Sequence, residues 1–272
     1  MIDDHWIEEQ ELGMIQITSD NVTLALRSLF RTDEPQARRC FAVLDDRAPA
    51  GKIITDDPAH PTWGVVWEAS DGVTYLGGQL DPSVWAQVFA HLQREGDVLI
   101  GLWLDDPRQD LMPPNPSCDG RTLEFYDRLI GKGLDEYLHE IPEGCDIYRL
   151  DRDLIMRTEW GSGDVELAGG MDAWEERCLG YCLMQGNEIL SEATVGPPSL
   201  GLREPGVFTQ EEHRGKGYGT ITSAHLIQEV EVLGDATYWN CAKQNVASAS
   251  IARKLGYRIE KEYRCMAWEK SI

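Results

Sequence analysis

Several things are missing from this 272-residue chain, and each absence removes a class of function. No apolar run approaches the roughly 20 residues that a membrane-spanning helix needs, so no membrane partner is expected. Seven cysteines are present, yet none forms a C-x-x-C pair, and Cys178 and Cys182 form the closest pair. With an odd count and no leader-like segment, reduced thiols and a cytoplasmic location are expected. His60 and His91 have no partner at metal-ligand spacing, so no metal site is expected. Positive charge is also scarce: 25 Lys and Arg face 47 Asp and Glu, a net charge of −22, which repels phosphate backbones and argues against nucleic acid. The deficit is uneven, −16 over residues 1–143 and −6 over residues 144–272. Such an acidic first half either draws a cationic amine toward a cleft or simply keeps the chain soluble.

What is present is concentrated in one turn, Glu212-His-Arg-Gly-Lys-Gly-Tyr-Gly-Thr220. Gly206-Val-Phe-Thr209 before it reads as a strand end, and Thr220 to Leu233 after it reads as a helix. Alternate glycines bend the backbone tightly and remove side chains that would keep a ligand from the amide N–H groups. Those amides lie at a helix N-terminus, where the macrodipole favours an anion, with Arg214 and Lys216 beside them. The pattern is therefore a pyrophosphate cradle. It is not a P-loop, because Lys216 is followed by Gly217 rather than Ser or Thr. It is not a dinucleotide fingerprint either, because Thr220 stands where the third glycine would fall if Gly215 were the first.

Arg214-x-x-Gly217-x-Gly219 resembles the Q/R-x-x-G-x-G/A loop of the GNAT superfamily of acyl-CoA-dependent N-acyltransferases. A second segment carries the same resemblance. Tyr238-Trp-Asn-Cys241 reads as a short strand leading to Asn245, an N-cap residue, with Ile251 and Leu255 as an i, i+4 pair and Gly256 as the C′ glycine. Asn245, Ser248, Lys254, Gly256 and Tyr257 match the family's N-x-x-[AS]-x-x-x-Y-x-K-x-G-[FY] segment, whose asparagine binds the pantetheine arm. The family's tyrosine, often the acid that protonates the departing thiolate, falls on Ala252. Another donor (Ser248, Cys241 or Tyr263) then serves, or the thiolate leaves unassisted, which a thiol pKa near 8.5 tolerates. More closely, Leu179 through Tyr263 is similar to the two-domain GNAT group that includes the zwittermicin A resistance acetyltransferase.

The resemblance implies an α+β GNAT fold over residues 144–272, a mixed and mostly antiparallel sheet with flanking helices. Cys145–Leu150, Leu179–Met184 and Glu188–Thr194 read as its first strands. Leu200–Thr209 reads as a third antiparallel strand in which Pro205 and Gly206 mark a bulge or an edge with a missing ladder donor. The cofactor-binding set is Val207, Phe208, Thr209, Arg214, Gly215, Lys216, Gly217, Tyr218, Gly219, Thr220, Asn245 and Ser248, holding acetyl-CoA as co-substrate. An amine must lose a proton before it attacks a thioester, so a carboxylate is needed. The resemblance implies Glu204, ten residues before Arg214 where many GNAT enzymes place a catalytic glutamate, with Glu192 on the preceding strand as second candidate, each alternatively a solvated strand-face glutamate. The N–H of Phe208 or Thr209 is expected to polarise the thioester carbonyl.

Residues 1–143 read as an accessory α/β domain, a degenerate GNAT-like half. It either walls the acceptor cleft or is purely structural, as in a homodimer. Phe41–Leu44, Gly64–Trp67, Val73–Leu76 and Val98–Leu104 are apolar runs, Pro82–Gln93 and Leu123–Ile130 read as helices, and Met112–Pro116 as a loop. Trp63, Trp67, Trp85 and Trp103 are expected in the core. The function expected is acetyl transfer to a small primary amine in a ternary complex. The alternatives are a protein lysine or N-terminal acetyltransferase, or a non-catalytic acyl-CoA sensor.

Overall fold

The computed structural model describes residues 13–46, 51–129 and 133–271. It divides into two compact units, Met1–Arg121 with Glu262–Ile272, and Thr122–Lys261. The sequence suggested a boundary at 143/144; the units divide elsewhere because strand pairing reaches across that point.

In the first unit, β1 (Ile15–Ile17), α1 (Leu24–Arg27), α2 (Ala37–Leu44), β2 (Gly51–Thr55), β3 (Trp63–Glu68), β4 (Val73–Gly78), α3 (Pro82–Glu95) and β5 (Val98–Trp103) follow in order. β1 to β4 form an antiparallel meander. β4 then runs parallel to β5 and is in register with it only at Val73↔Leu99. The other edge of β5 pairs antiparallel with Tyr263–Trp268 from the end of the chain.

Helix α3 starts as its sequence dictates. The Asp81 carboxylate accepts the Ser83 N–H, and Pro82 occupies the first turn, where no N–H is needed. Its Trp85, Val88, Phe89 and Leu92, spaced i, i+3, i+4, i+7, pack into one core with Trp63, Val65 and Trp67. Trp103 is the exception among the expected core tryptophans: it is partly exposed, and its indole donates to Asp33 O at 3.0 Å. Phe41–Leu44 is helical in α2, because Ala37, Cys40, Phe41 and Leu44 make one buried stripe.

The second unit contains most of β6 (Cys118–Arg128), then α4 (Asp135–His139), β7 (Cys145–Arg149), α5 (Arg152–Ile155), α6 (Gly161–Leu167), α7 (Met171–Arg177), β8 (Leu179–Gln185) and β9 (Glu188–Val195). β10 (Leu202–Arg203), β11 (Gly206–Thr209), α8 (Tyr218–Val232), β12 (Ala236–Thr237), β13 (Trp239–Ala242), α9 (Val246–Lys254) and β14 (Tyr257–Trp268) complete the chain. One sheet has the order β11-β9-β8-β7, all antiparallel.

Two sequence expectations are corrected here. Leu123–Ile130 was expected as helix, but Leu123 to Arg128 is strand: Leu123 and Phe125 point into the core and pair with Cys241 and Trp239. Ile130 lies outside the described residues. The single strand expected over Leu200–Thr209 is two strands, parted at Glu204-Pro205. Pro205 has no N–H to continue a ladder. Before it, β10 pairs parallel with β12 (Arg203↔Thr237); after it, β11 turns to β9 (Phe208↔Glu192). Helix α8 is buried on two sides, with Leu226 and Val230 against Leu179 and Val195, and Ala224 and Ile227 against Trp239 and Ala252.

Candidate active site

The switch of partners at Pro205 opens a fork. Its arms are β11 on one side and β13 on the other, and these two strands belong to different ladders. Among the described residues no strand pairs with the outer edge of β11. The Gln210 N–H donates to Leu190 O at 3.1 Å, one residue beyond Thr209↔Ser191. Bonded and non-bonded pairs alternate in an antiparallel ladder, so Phe208 turns its N–H to β9 while Val207 and Thr209 turn theirs outward. The outward Thr209 carbonyl accepts Arg214 Nε at 3.1 Å.

The glycine turn follows. Gly215 and Gly217 have φ of +77° and +87°, where an L side chain is strained, and a Cβ on either would meet nothing within 4 Å. Open space therefore lies over both. Among the described residues, no acceptor is found for the N–H groups of Gly215, Lys216, Gly217, Tyr218 and Gly219. The next two, from Thr220 and Ile221, turn back to Gly217 O at 3.0 and 3.1 Å. Gly219 serves packing instead: a Cβ there would lie 3.0 Å from Thr209 Oγ1 and 3.3 Å from Val207 Cγ2, so its absence lets α8 sit tightly on β11. Arg214 and Lys216 are exposed, with Lys216 Nζ 3.2 Å from His213 Nδ1.

Asn245 caps α9, its side-chain oxygen accepting the Ser248 N–H at 3.1 Å. Its amide nitrogen is then the group left to donate. Two members of the expected set are turned inward. Thr220 is buried, and Ser248 Oγ accepts Trp239 Nε1 at 2.9 Å. Ala252 is fully buried among Ala224, Trp239 and Leu255, so no acid stands there.

The two candidate carboxylates differ. Glu192 is 1% exposed and accepts the Glu159 and Trp160 N–H groups at 2.9 and 3.2 Å. Burial raises its pKa, with those two bonds opposing. It organises the chain entering α6. Glu204 stands at the fork itself, half-buried, and its Oε2 accepts the hydroxyl of Tyr238. Sequence reading gave Tyr238 no role, because nothing local marks a bond between residues 34 positions apart.

Residues 28–266 match the family model described as GNAT acetyltransferase. An uncharacterized N-acetyltransferase of Bacillus subtilis (strain 168), YdfB, is 27% identical over 126 residues, 46% of this chain and 48% of that protein. The chain thus spans about half the length of that curated relative. A GCN5-related N-acetyltransferase-like protein from Streptococcus suis 89/1591 superposes with a TM-score of 0.68 at 19% identity, over 89% of this chain and 96% of that one. A tandem GNAT protein from the clavulanic acid biosynthesis pathway gives 0.61 at 11% identity, over 95% and 98%. An N-acetyltransferase from Sphaerobacter thermophilus gives 0.58 at 14%, over 96% of each chain. At such identities these structures share the fold alone. No helix among the described residues is long and apolar enough to cross a membrane. With the family model spanning both units, the chain belongs to the GNAT acetyltransferase family, whose fold implies acetyl-CoA as co-substrate.

Proposed function

We propose that this chain transfers the acetyl group of acetyl-CoA to a primary amine of a small molecule, by direct attack and without a covalent enzyme intermediate. The observation that carries the reading is the run of five N–H groups, Gly215 to Gly219, that find no acceptor among the described residues at the start of α8 beside Arg214 and Lys216. It offers donors and positive charge to a pyrophosphate, in open space that a Cβ would fill. The Val207 N–H and the Asn245 amide nitrogen serve the pantetheine amides. The ladder alternation favours the Thr209 N–H over that of Phe208 for polarising the thioester carbonyl.

Glu204 is the proton acceptor in this reading, since Glu192 is held by backbone N–H groups. The amine N–H bond breaks toward the Glu204 carboxylate as the N–C bond forms, and the C–S electron pair leaves on sulfur. Thiolate departure without a donor at Ala252 is tolerable, because a free thiol ionises near pH 8.5.

A thiol-release assay with acetyl-CoA and a panel of small amines, including polyamines, tests the proposal. Turnover on a small amine is the expected result, and Glu204→Gln should lower it at least tenfold while acetyl-CoA binding stays intact. Turnover only on peptide lysines or N-termini would replace the acceptor class, and acetyl-CoA binding with no turnover on any acceptor would make the chain a sensor.

A further inference from the structure

Two strands part at one place in the second unit, and each supplies a polar side chain there. β10 and β12 stay in parallel register through Arg203↔Thr237. The next residues are Glu204 and Tyr238, and the Tyr238 hydroxyl donates to Glu204 Oε2 across the fork. Tyr238 is 1% exposed, so it stands behind the carboxylate rather than in front of a substrate.

Its ring is held from several directions. The Tyr238 N–H donates to Arg203 O at 3.1 Å. Continuing the register Trp239↔Phe125 by one residue sets Tyr238 opposite Tyr126, and the two rings stack at 6.1 Å and 15°. Tyr126 in turn donates its hydroxyl to Glu124 Oε2, a fully buried carboxylate. Of the three donors first considered for the role left vacant at Ala252, Ser248 Oγ receives the Trp239 indole at 2.9 Å and the Tyr263 hydroxyl receives Gln36 Nε2 at 2.5 Å.

We propose that Tyr238 is a positioning residue for the proton-accepting carboxylate, its hydroxyl holding Glu204 in the orientation that receives the amine proton. The inference rests on the reading of Glu204 as base. A hydroxyl donating to an ionised carboxylate is about twice as strong as a neutral pair, and the clamped ring leaves it little freedom to turn away. In the step itself the proton passes from the amine nitrogen to Glu204 and its electron pair enters the new N–C bond. Tyr238 keeps its own proton throughout.

A double-mutant cycle tests this. Tyr238→Phe preserves the stacked ring and should lower kcat about tenfold, the worth of one hydrogen bond to a charged group, with KM for acetyl-CoA unchanged. In a Glu204→Gln background the same substitution should have no further effect. Independent, multiplicative losses would overturn the inference while leaving Glu204 as base, and so would an unchanged kcat in Tyr238→Phe. Normal turnover in Glu204→Gln would sink the reading of the base and this inference with it. Should Tyr238→Phe fail to fold, 3-fluorotyrosine at position 238 changes hydroxyl acidity with the ring retained. A shift in kcat at constant KM then supports the inference, and an unchanged kcat refutes it.

Discussion

Gly217→Glu tests the coenzyme turn most directly, because its effects on folding and on binding separate. At φ +87° an L side chain costs about 1–2 kcal/mol. No steric term adds to this, since a Cβ there meets nothing within 4 Å. The new carboxylate sits at the start of a 15-residue helix, where the macrodipole returns about 0.3–1 kcal/mol. The net loss of stability is therefore about 1 kcal/mol, and the protein should remain folded. Binding fares differently. A carboxylate about 4 Å from one pyrophosphate charge repels it by about 4 kcal/mol at an effective dielectric of 20. That is about a thousandfold in Kd, before the space lost to the side chain is counted. Titration calorimetry with CoA, paired with thermal unfolding, reads both quantities. Gly217→Asn, neutral and more tolerant of this backbone region, should lose much less affinity. A folded Gly217→Glu protein that binds CoA within tenfold of the parent would refute the assignment of the turn.

Other outcomes follow from features away from that turn. Arg128 is buried, donating through Nε to Glu231 Oε1 at 2.7 Å and through Nη1 to Leu255 O at 3.0 Å. Arg128→Met removes a buried guanidinium from the Glu231 carboxylate and should cost about 3–5 kcal/mol in denaturant unfolding, and a loss under 1 kcal/mol would contradict the pairing. Burial raises Glu192 above the ordinary carboxylate value of 4.5, so the folded chain holds that proton more tightly than the unfolded chain. Stability should then fall as pH rises from 4.5 through the raised value. Glu192→Gln should flatten that slope in thermal melts, and an unaltered slope would assign it to other groups. In the first unit Arg108 Nη1 donates to Leu76 O at 2.8 Å, blocking the edge of β4, and Asp81 caps α3 where a pyrophosphate would need positive charge. Calorimetry should find one CoA per chain, and a second site of similar affinity would contradict this.

The turn and the Asn245 helix were legible because their chemistry is local: glycines at fixed offsets, a cap residue, a C′ glycine. The absence at Ala252 was legible for the same reason. Pairing between distant strands was not. Leu123 to Ile130 carries apolar residues at spacings that suit a helix, and pairing with β13 on one edge and β14 on the other makes a strand of Leu123 to Arg128. Phe41–Leu44 is too short to show its period, and its helix emerges once Ala37 and Cys40 are counted on the same face. Glu204 could be proposed from the family resemblance, whereas its bond to Tyr238 depends on where two parallel strands separate. Ser248 matched the family pattern and Thr220 stood in the expected cofactor-binding set, but burial and hydrogen bonding decide what each side chain can reach.

The late pairing of β14 with the edge of β5 has a consequence for biosynthesis. Trp103 pairs with Tyr263 and Val98 with Trp268. At about 5–20 residues per second, the first unit waits many seconds after β5 has been made for the strand that covers its edge. Until then that edge can template another chain. The acidic excess of residues 1–143, a net −16, keeps such unfinished chains apart while they wait.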